Sequence, residues 1–197
     1  MSRRLEIAGI LGLVAPFFSF ACILVAVASW KPFNWVNNAL SDLGVQSGVT
    51  SVVFNSGLVI SGILFIIFSV GLLSLVGKRL VGKVGSALFA FACIALIAIG
   101  IFNESFSPTH YIASVLFFVF LPISQLVLVA AFWLAGRHKL GVFTLAVGLA
   151  AAAPWVLEFS VHYVANVAIP EFASGLIGAI WAFVLGYVML RESQKPK

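Results

Sequence analysis

Residues 52–76, VVFNSGLVISGILFIIFSVGLLSLV, are 25 consecutive residues without a charged side chain. An α-helix needs about 20 predominantly apolar residues to cross the roughly 30 Å hydrocarbon layer of a bilayer. This stretch therefore predicts a membrane-spanning helix, and five other segments meet the same criterion. The predicted spans are 7–29, 52–76, 84–102, 111–135, 141–164 and 172–190.

The composition agrees with a multi-span membrane protein. Of the 197 residues, 62% are hydrophobic and 9% are charged, and the mean hydropathy is +1.18. Soluble domains average about 45–50% apolar and about 25% charged residues. We therefore predict one all-α integral membrane domain over residues 1–197, a bundle of six transmembrane helices. Soluble enzyme folds and disulfide scaffolds are excluded, the latter because Cys22 and Cys93 both lie in apolar runs.

The distribution of positive charge predicts the topology. Ten of the eleven basic residues form four clusters, namely Arg3 and Arg4; Lys78, Arg79 and Lys83; Arg137 and Lys139; and Arg191, Lys195 and Lys197. Six crossings place all four clusters on one side and leave only Lys31 on the other. Since basic connections stay cytoplasmic, we predict a multi-pass plasma-membrane protein with both termini inside. This pattern is a topology signal, and it excludes a nucleic-acid partner.

The first span also allows a second interpretation. A secretory signal would have Arg3 and Arg4 at its start and a small-residue cleavage site at residues 26–28. Cleavage would leave five spans and place the two termini on opposite sides. We favour a retained helix, because the apolar run is about 23 residues long against the usual 7–15 of a signal core, and it contains Pro16.

Residues 34–44 predict a short amphipathic helix on the outer side. Its apolar face holds Val36, Ala39, Leu40 and Leu43, and its polar face holds Asn37, Asn38, Ser41 and Asp42. Asn34 is the expected N-cap and Gly44 the expected left-handed stop. The helix either lies on the lipid surface or packs over a pocket.

Acidic side chains also favour the outer side. Asp42, Glu104, Glu158 and Glu171 are predicted there, whereas Glu6 and Glu192 are predicted inside. Glu171 follows Pro170 at a helix start and is expected to cap that helix. Together with the outer amides, these acids predict a polar pocket that opens outward between spans two to five under the 34–44 helix.

Two histidines belong to this outer group. His110 falls in the first turn of the fourth span, which we expect to begin with Ser107 as cap and Pro108 as the first helical residue. Glu158 and His162 are four residues apart and are predicted to share one helical face. An ionisable residue in the middle of a span costs about 2.5–3.5 kcal/mol, so such residues usually face a partner or a wet cavity. The alternatives are a helix-end role for His110 and a bracing ion pair for the other two.

Small residues predict one close helix contact. The sixth span carries Ser174, Gly178, Ala182 and Gly186 at four-residue spacing. Helices in lipid associate through such small residues, so we expect this ridge to face another helix.

Several short blocks resemble the domain of unknown function 998 family, small multi-span proteins of archaea and bacteria. They are residues 38–44 (NALSDLG), 103–104, 110–111 and 168–171. The resemblance covers nearly the whole chain and implies a multi-span architecture. The family has no established activity, so the resemblance implies no reaction.

A second resemblance is to intramembrane hydrolases of the alkaline ceramidase and adiponectin-receptor type, and it implies zinc. On this hypothesis the metal ligands are His110, His162 and either Asp42 or Glu158, the other carboxylate is the general base, and Ser41 contacts the bound water. Zinc lowers the pKa of its water to about 7, which would create a nucleophile acting on a lipid-like substrate. The chain departs from that pattern because it has six spans, not seven, and lacks a histidine triad.

Two further hypotheses need no metal. In the first, the outer pocket binds or transports a small or lipid-like ligand. The candidate binding residues are Asn37, Asn38, Asn55, Asn103 and Glu104, with Glu158 as a further hydrogen-bonding group. In the second, the polar residues only cap and brace helices of a structural or accessory membrane protein. Both hypotheses make membrane lipids partners of the protein.

Overall fold

Six long α-helices form the protein in a computed structural model that describes residues 2–77 and 79–195. The helices are α1 (Ser2–Ser29), α2 (Val49–Val76), α3 (Leu80–Ile101), α4 (Thr109–Leu134), α5 (His138–Val161) and α6 (Ala168–Ser193). All six are long and apolar enough to cross a membrane, as predicted. Most begin a few residues before the predicted spans, because the first helical turn already lies in polar flanking sequence that hydropathy does not count.

The helices form a closed ring. Each helix packs against its neighbours in the chain, and α1 returns to pack against α6. The even-numbered helices α2, α4 and α6 also touch one another and so occupy the centre. Phe68, Phe89 and Trp181 form the aromatic core of this centre, with the Phe89 and Trp181 ring centroids 5.3 Å apart.

Glycines allow α1 and α6 to approach at backbone distance. A methyl group added at Gly186 would lie 2.7 Å from the carbonyl carbon of Gly12, well inside van der Waals contact. The predicted ridge on α6 is buried, but it does not face one helix. Ser174 donates to the Ala151 carbonyl of α5, Gly178 meets Leu121 of α4, and Gly186 meets α1. A span that packs against several helices needs small residues toward each of them.

The two ends of the bundle differ in charge. We call the end that carries the connections 30–48, 102–108 and 162–167 the acidic end. The opposite end, with the turns at Gly77 and 135–137, is the basic end. At the basic end Arg137 makes a two-pronged salt bridge to Glu192, with nitrogen–oxygen distances of 2.6 and 2.9 Å. Of the basic clusters, Lys78 and Lys197 lie outside the described residues.

The predicted amphipathic helix over 34–44 is wrong. The chain instead makes a turn at residues 34–38 and then a short 3-10 helix, Leu40–Val45, separated by extended backbone at Ala39. Asn34 does cap, as predicted, but only the single turn: its Oδ1 accepts the amides of Val36 and Asn37 at 2.9 and 3.1 Å.

The reason is competition for backbone groups. The Asn38 amide still makes the first helical bond, to the Asn34 carbonyl, but the Ala39 amide donates to Asp42 Oδ2, so a side chain takes the bond that would continue the helix. Val36, expected on the apolar face, is 47% exposed. Gly44 is not a left-handed stop either; its missing side chain makes room for Asn55, whose Oδ1 would lie 2.7 Å from an added methyl group.

Candidate functional site

Three carboxylates from three parts of the chain lie close to the start of the 3-10 helix at the acidic end. Glu171 Oε2 of α6 accepts the Leu40 amide at 2.6 Å. Glu104, in the connection after α3, accepts the Ser41 hydroxyl at 2.7 Å. Asp42 accepts the Asn38 side-chain amide at 2.6 Å. The short 3-10 helix therefore gathers most of the acidic groups of this end at one place.

Backbone and amide contacts fix this segment over the mouth of the bundle. The Asn166 and Ala168 amides at the start of α6 donate to the carbonyls of Val36 and Asn38, at 2.9 and 3.0 Å. From α2, the Asn55 side-chain amide donates to the Gly44 carbonyl at 2.9 Å. Leu40, Ser41, Leu43 and Gly44 are buried as a result. The segment thus covers the bundle at its acidic end, as expected of the 34–44 region.

Below this cover lies a cavity of about 90 Å³ between α1, α2, α3, α4 and α6. Its lining is mainly aromatic and includes Phe20, Phe54, Phe65, Phe89, Phe117, Phe118 and Phe172. Phe54 and Phe65 are 11 residues apart on α2, so at the helical rise the cavity lining extends about 16 Å along the bundle. It ends near the aromatic centre formed with Trp181.

Few polar side chains line the cavity, namely Ser19, Ser41, Ser114 and Glu171. Ser41 and Glu171 lie at the covered end, and Glu171 is the one acidic or basic residue of the lining. Its side chain is only 9% exposed. The cavity is therefore an apolar space with a carboxylate at one end, and not the mainly polar pocket predicted from the sequence.

A second, entirely apolar groove runs along the outside of α1 and α6. It shares Phe20, Phe172 and Ala179 with the cavity. The Phe20 and Phe172 rings meet edge to face, with centroids 5.1 Å apart. This aromatic pair therefore stands between the cavity and the surface that would face lipid.

His110 serves the end of a helix. The fourth helix begins at Thr109, two residues after the predicted cap Ser107, and His110 is buried in its first turn. His110 Nδ1 lies 2.7 Å from the carbonyl oxygen of Phe102, the C-terminal cap of α3. This matches the helix-end alternative, since the ring ties the end of α3 to the start of α4.

Glu158 and His162 do not share a helical face, so that prediction is wrong. Helix α5 ends at Val161, and His162 turns into the left-handed conformation (φ 49°), which directs it to the exposed surface. Glu158 is buried at 6% exposure, and its Oε2 has no hydrogen-bond partner among the described residues. Burial, and secondarily the charge of Glu158, raises the pKa of Tyr163 in the following connection.

The proposed zinc ligands do not come together. Across residues 2–77 and 79–195, no three His, Cys, Asp or Glu side chains form a group that could hold a metal ion. His110 is engaged by a carbonyl and His162 is exposed. The residues therefore do not fit the zinc site that the hydrolase hypothesis requires.

All ten predicted site residues lie in the part of the chain that the structure describes. Ser41 lines the cavity, and the other nine do not. Asp42 and Glu104 lie next to it through their hydrogen bonds with residues 38–41. Asn37, Asn38 and Asn55 hold the covering segment in place. Asn103 caps the short turn Glu104–Phe106, because its side chain accepts a hydrogen bond from the Ser105 amide.

Sequence reasoning missed Glu171 and the phenylalanines. Glu171 was expected to cap α6, yet it accepts the amide of Leu40 instead. On α4, the lining residues Ser114, Phe117, Phe118 and Leu121 recur at helical spacing. The helical spacing of these four residues was the signal in the sequence that could have indicated the lining. Phenylalanine also occupies lipid-facing positions of this chain, such as Phe17 and Phe159, so the spacing alone did not distinguish the two.

Comparison with known families gives one result. The family model described as "Protein of unknown function (DUF998)" matches residues 13–188, which confirms the resemblance carried by residues 38–44. Comparisons with curated proteins and with solved structures give no match.

Proposed function

Since the chain belongs to the DUF998 family of proteins of unknown function, we propose its function from its cavity: it binds a lipid-like amphiphile. The cavity of about 90 Å³ is smaller than such a ligand, so the lining phenylalanines must move apart to admit the hydrocarbon chain, while its polar end lies at Ser41 and Glu171. The observation that carries the proposal is the arrangement of the cavity, long and aromatic with a single carboxylate at its covered end.

The aromatic lining favours a hydrocarbon over water. Apolar cavities stay dry, and ligand sites are mostly apolar with a few placed polar groups that fix orientation. The seven lining phenylalanines provide the apolar wall, whereas Ser41 and Glu171 provide the orienting groups. A freely soluble polar metabolite would lose its hydrogen bonds to water and find few partners on this apolar wall.

The topology supports a ligand that comes from the bilayer. The cavity lies beside the lipid-facing groove between α1 and α6, and the Phe20–Phe172 pair separates the two. A chain that enters from lipid gains little from the hydrophobic effect, because lipid tails are already apolar. Its affinity must therefore come from fit to the aromatic wall and from its polar end. By the basic-residue distribution, the acidic end faces the outer leaflet of the plasma membrane.

Filling the cavity tests this proposal. Gly175 lines it, and a methyl group added there would meet only Phe20 Cζ, at 3.8 Å, so Gly175→Leu directs its side chain into free space. The matched control is Ala87→Leu, which adds the same side chain on the exposed surface of α3. Purified protein is analysed by mass spectrometry for retained lipid.

We expect the wild type and Ala87→Leu to carry a single co-purifying amphiphile and Gly175→Leu to have lost it. Equal retention by Gly175→Leu, with an unchanged thermal transition, would overturn the proposal. So would a wild-type protein that carries no lipid and takes up none of the amphiphiles offered to it.

A further inference from the structure

We infer that the polar end of the ligand is a protonated amine that pairs with Glu171. This inference rests on the proposed function and adds the chemical class of the ligand. Glu171 is nine-tenths buried and lines the cavity. Its Oε2 accepts the Leu40 amide, whereas no described residue donates a hydrogen bond to its Oε1.

No protein cation balances the carboxylates at this place. Among residues 2–77 and 79–195 the one salt bridge joins Arg137 and Glu192, at the opposite, basic end. Lys31 is the single lysine or arginine of the acidic end, and it is exposed. Glu171, Glu104 and Asp42 are instead held by an amide, a hydroxyl and a side-chain amide, all of them neutral donors.

The helix dipole offsets only part of this charge. Glu171 lies in the first turn of α6, where the helix terminus contributes about half a positive elementary charge. A carboxyl group buried at the edge of an apolar cavity either takes up a proton or needs a full counter-charge. The two histidines of this end do not supply one, because among the described residues neither lies within salt-bridge distance of a carboxylate.

An alkylammonium group fits this gap. It has N–H donors on a compact positive charge, and hydrogen bonds between two ionised groups are roughly twice as strong as neutral ones. Glu171 and Ser41 provide acceptors at the covered end of the cavity. An ionised phosphate or carboxylate headgroup brings no N–H donor and would meet Glu171, with Glu104 and Asp42 behind it, which disfavours binding. The cavity therefore selects its ligand by charge at one end and by shape along the chain.

Three probes of equal chain length separate these possibilities. Dodecylamine, dodecanol and dodecanoate, whose chains are no longer than the cavity lining, are added in turn to the full-length protein in the same nonionic micelles, and dissociation constants are measured by titration with native mass spectrometry. We expect the amine to bind about tenfold tighter than the alcohol, as for a hydrogen bond to a charged group. The acid should bind most weakly.

Variants assign the preference to Glu171. In Glu171→Gln, the shape and the bond from Leu40 are retained but the charge is lost, so the amine should bind no better than the alcohol. The matched control is Glu158→Gln, which changes a buried carboxyl that does not line the cavity and should leave the amine preference intact. If Glu171→Gln does not fold, Glu104→Gln should still reduce the preference, by less.

The outcomes distinguish the two proposals. Equal binding of amine and alcohol, or tighter binding of dodecanoate, would overturn the inference while the lipid-binding function stands. Failure of all three probes to bind would overturn the proposed function and this inference with it. A preference that survives in both Glu171→Gln and Glu104→Gln would show that another group supplies the selectivity, against the inference.

Discussion

At the scale of single residues, a buried hydrogen bond between two side chains links α5 to α6. The Trp181 indole donates to the Thr144 hydroxyl at 3.0 Å, and both side chains are completely buried. Thr144→Val keeps the shape but leaves the indole without a partner, so we expect a loss of about 1–3 kcal/mol in unfolding free energy. Denaturant unfolding of the purified protein measures it.

A double-mutant cycle separates this bond from packing. Once Trp181→Phe has removed the donor, Thr144→Val should cost less than in the wild type, with a coupling of about 1 kcal/mol. Additive effects of the two substitutions would show that the bond contributes nothing beyond packing.

Tyr163 reports on the charge of Glu158. Burial, and secondarily that charge, raises the pKa of Tyr163, so its hydroxyl should ionise at higher pH than an ordinary tyrosine. Glu158→Gln removes the second cause and should lower the pKa of Tyr163 toward 10 while leaving it somewhat raised. Tyrosinate absorbance during a pH titration measures this in a background with Tyr111 and Tyr187 changed to Phe. An unchanged titration would mean that no negative charge lies near Tyr163.

Residue roles at the acidic end were only partly predictable. The pairing of Asn38 with Asp42 followed from their spacing, and the structure forms that bond. The bonds of Leu40 to Glu171 and of Ser41 to Glu104 join residues 131 and 63 positions apart, which no local pattern reveals. The pairing of Glu158 with His162 failed because one left-handed residue ends α5 before the helical period can apply.

At the scale of elements, the crossing of α1 and α6 depends on missing side chains. A methyl group at Gly186 would lie 2.7 Å from the backbone of Gly12, and backbone cannot rotate away as a side chain can. Gly186→Ala should therefore push the helices apart and cost about 2 kcal/mol, as for overpacking in a core. Thermal unfolding in detergent measures it.

The same helix contains the control. At Gly175 an added methyl group meets only Phe20 Cζ at 3.8 Å, which is ordinary contact. Gly175→Ala carries the same change in helix propensity without the clash, so it should be neutral or stabilising. Equal destabilisation by both substitutions would show that the crossing is not as close as described.

Hydropathy predicted the six long helices well but not the short connection. Each span is a long apolar run, and lipid leaves the backbone few alternatives to a helix. In residues 34–44 the apolar residues follow a helical period, but asparagine and aspartate side chains compete for the backbone amides. That competition depends on exact rotamers and on anchoring by Asn55 and Asn166, which periodicity does not contain.

At the scale of the whole molecule, the cavity could not be located from the sequence. In a soluble protein an apolar stripe marks the core, whereas here the surface is apolar too. Phe17 and Phe159, for example, are 68% and 73% exposed, while Phe68 is fully buried. Only the polar residues therefore differed from the apolar background of the sequence. They indicated the segment that covers the cavity but not the phenylalanines that form its wall.

Orientation across the membrane follows from charge. Of the nine basic residues within 2–77 and 79–195, all but Lys31 lie at the basic end, so that end should be cytoplasmic. In a background with Cys22 and Cys93 replaced by Ala, a single cysteine is placed at exposed Ser47 of the acidic end or at exposed Ala135 of the basic end.

In intact cells a membrane-impermeant maleimide should label Ser47→Cys at once and Ala135→Cys only after the membrane is permeabilised. The reverse pattern would invert the bundle, and the mouth above Glu171 would then face the cytoplasm. The proposed ligand would in that case come from the inner leaflet, where anionic lipids abound. The preference for an amine at Glu171 would still hold, because it depends on the uncompensated carboxylates and not on which leaflet supplies the ligand.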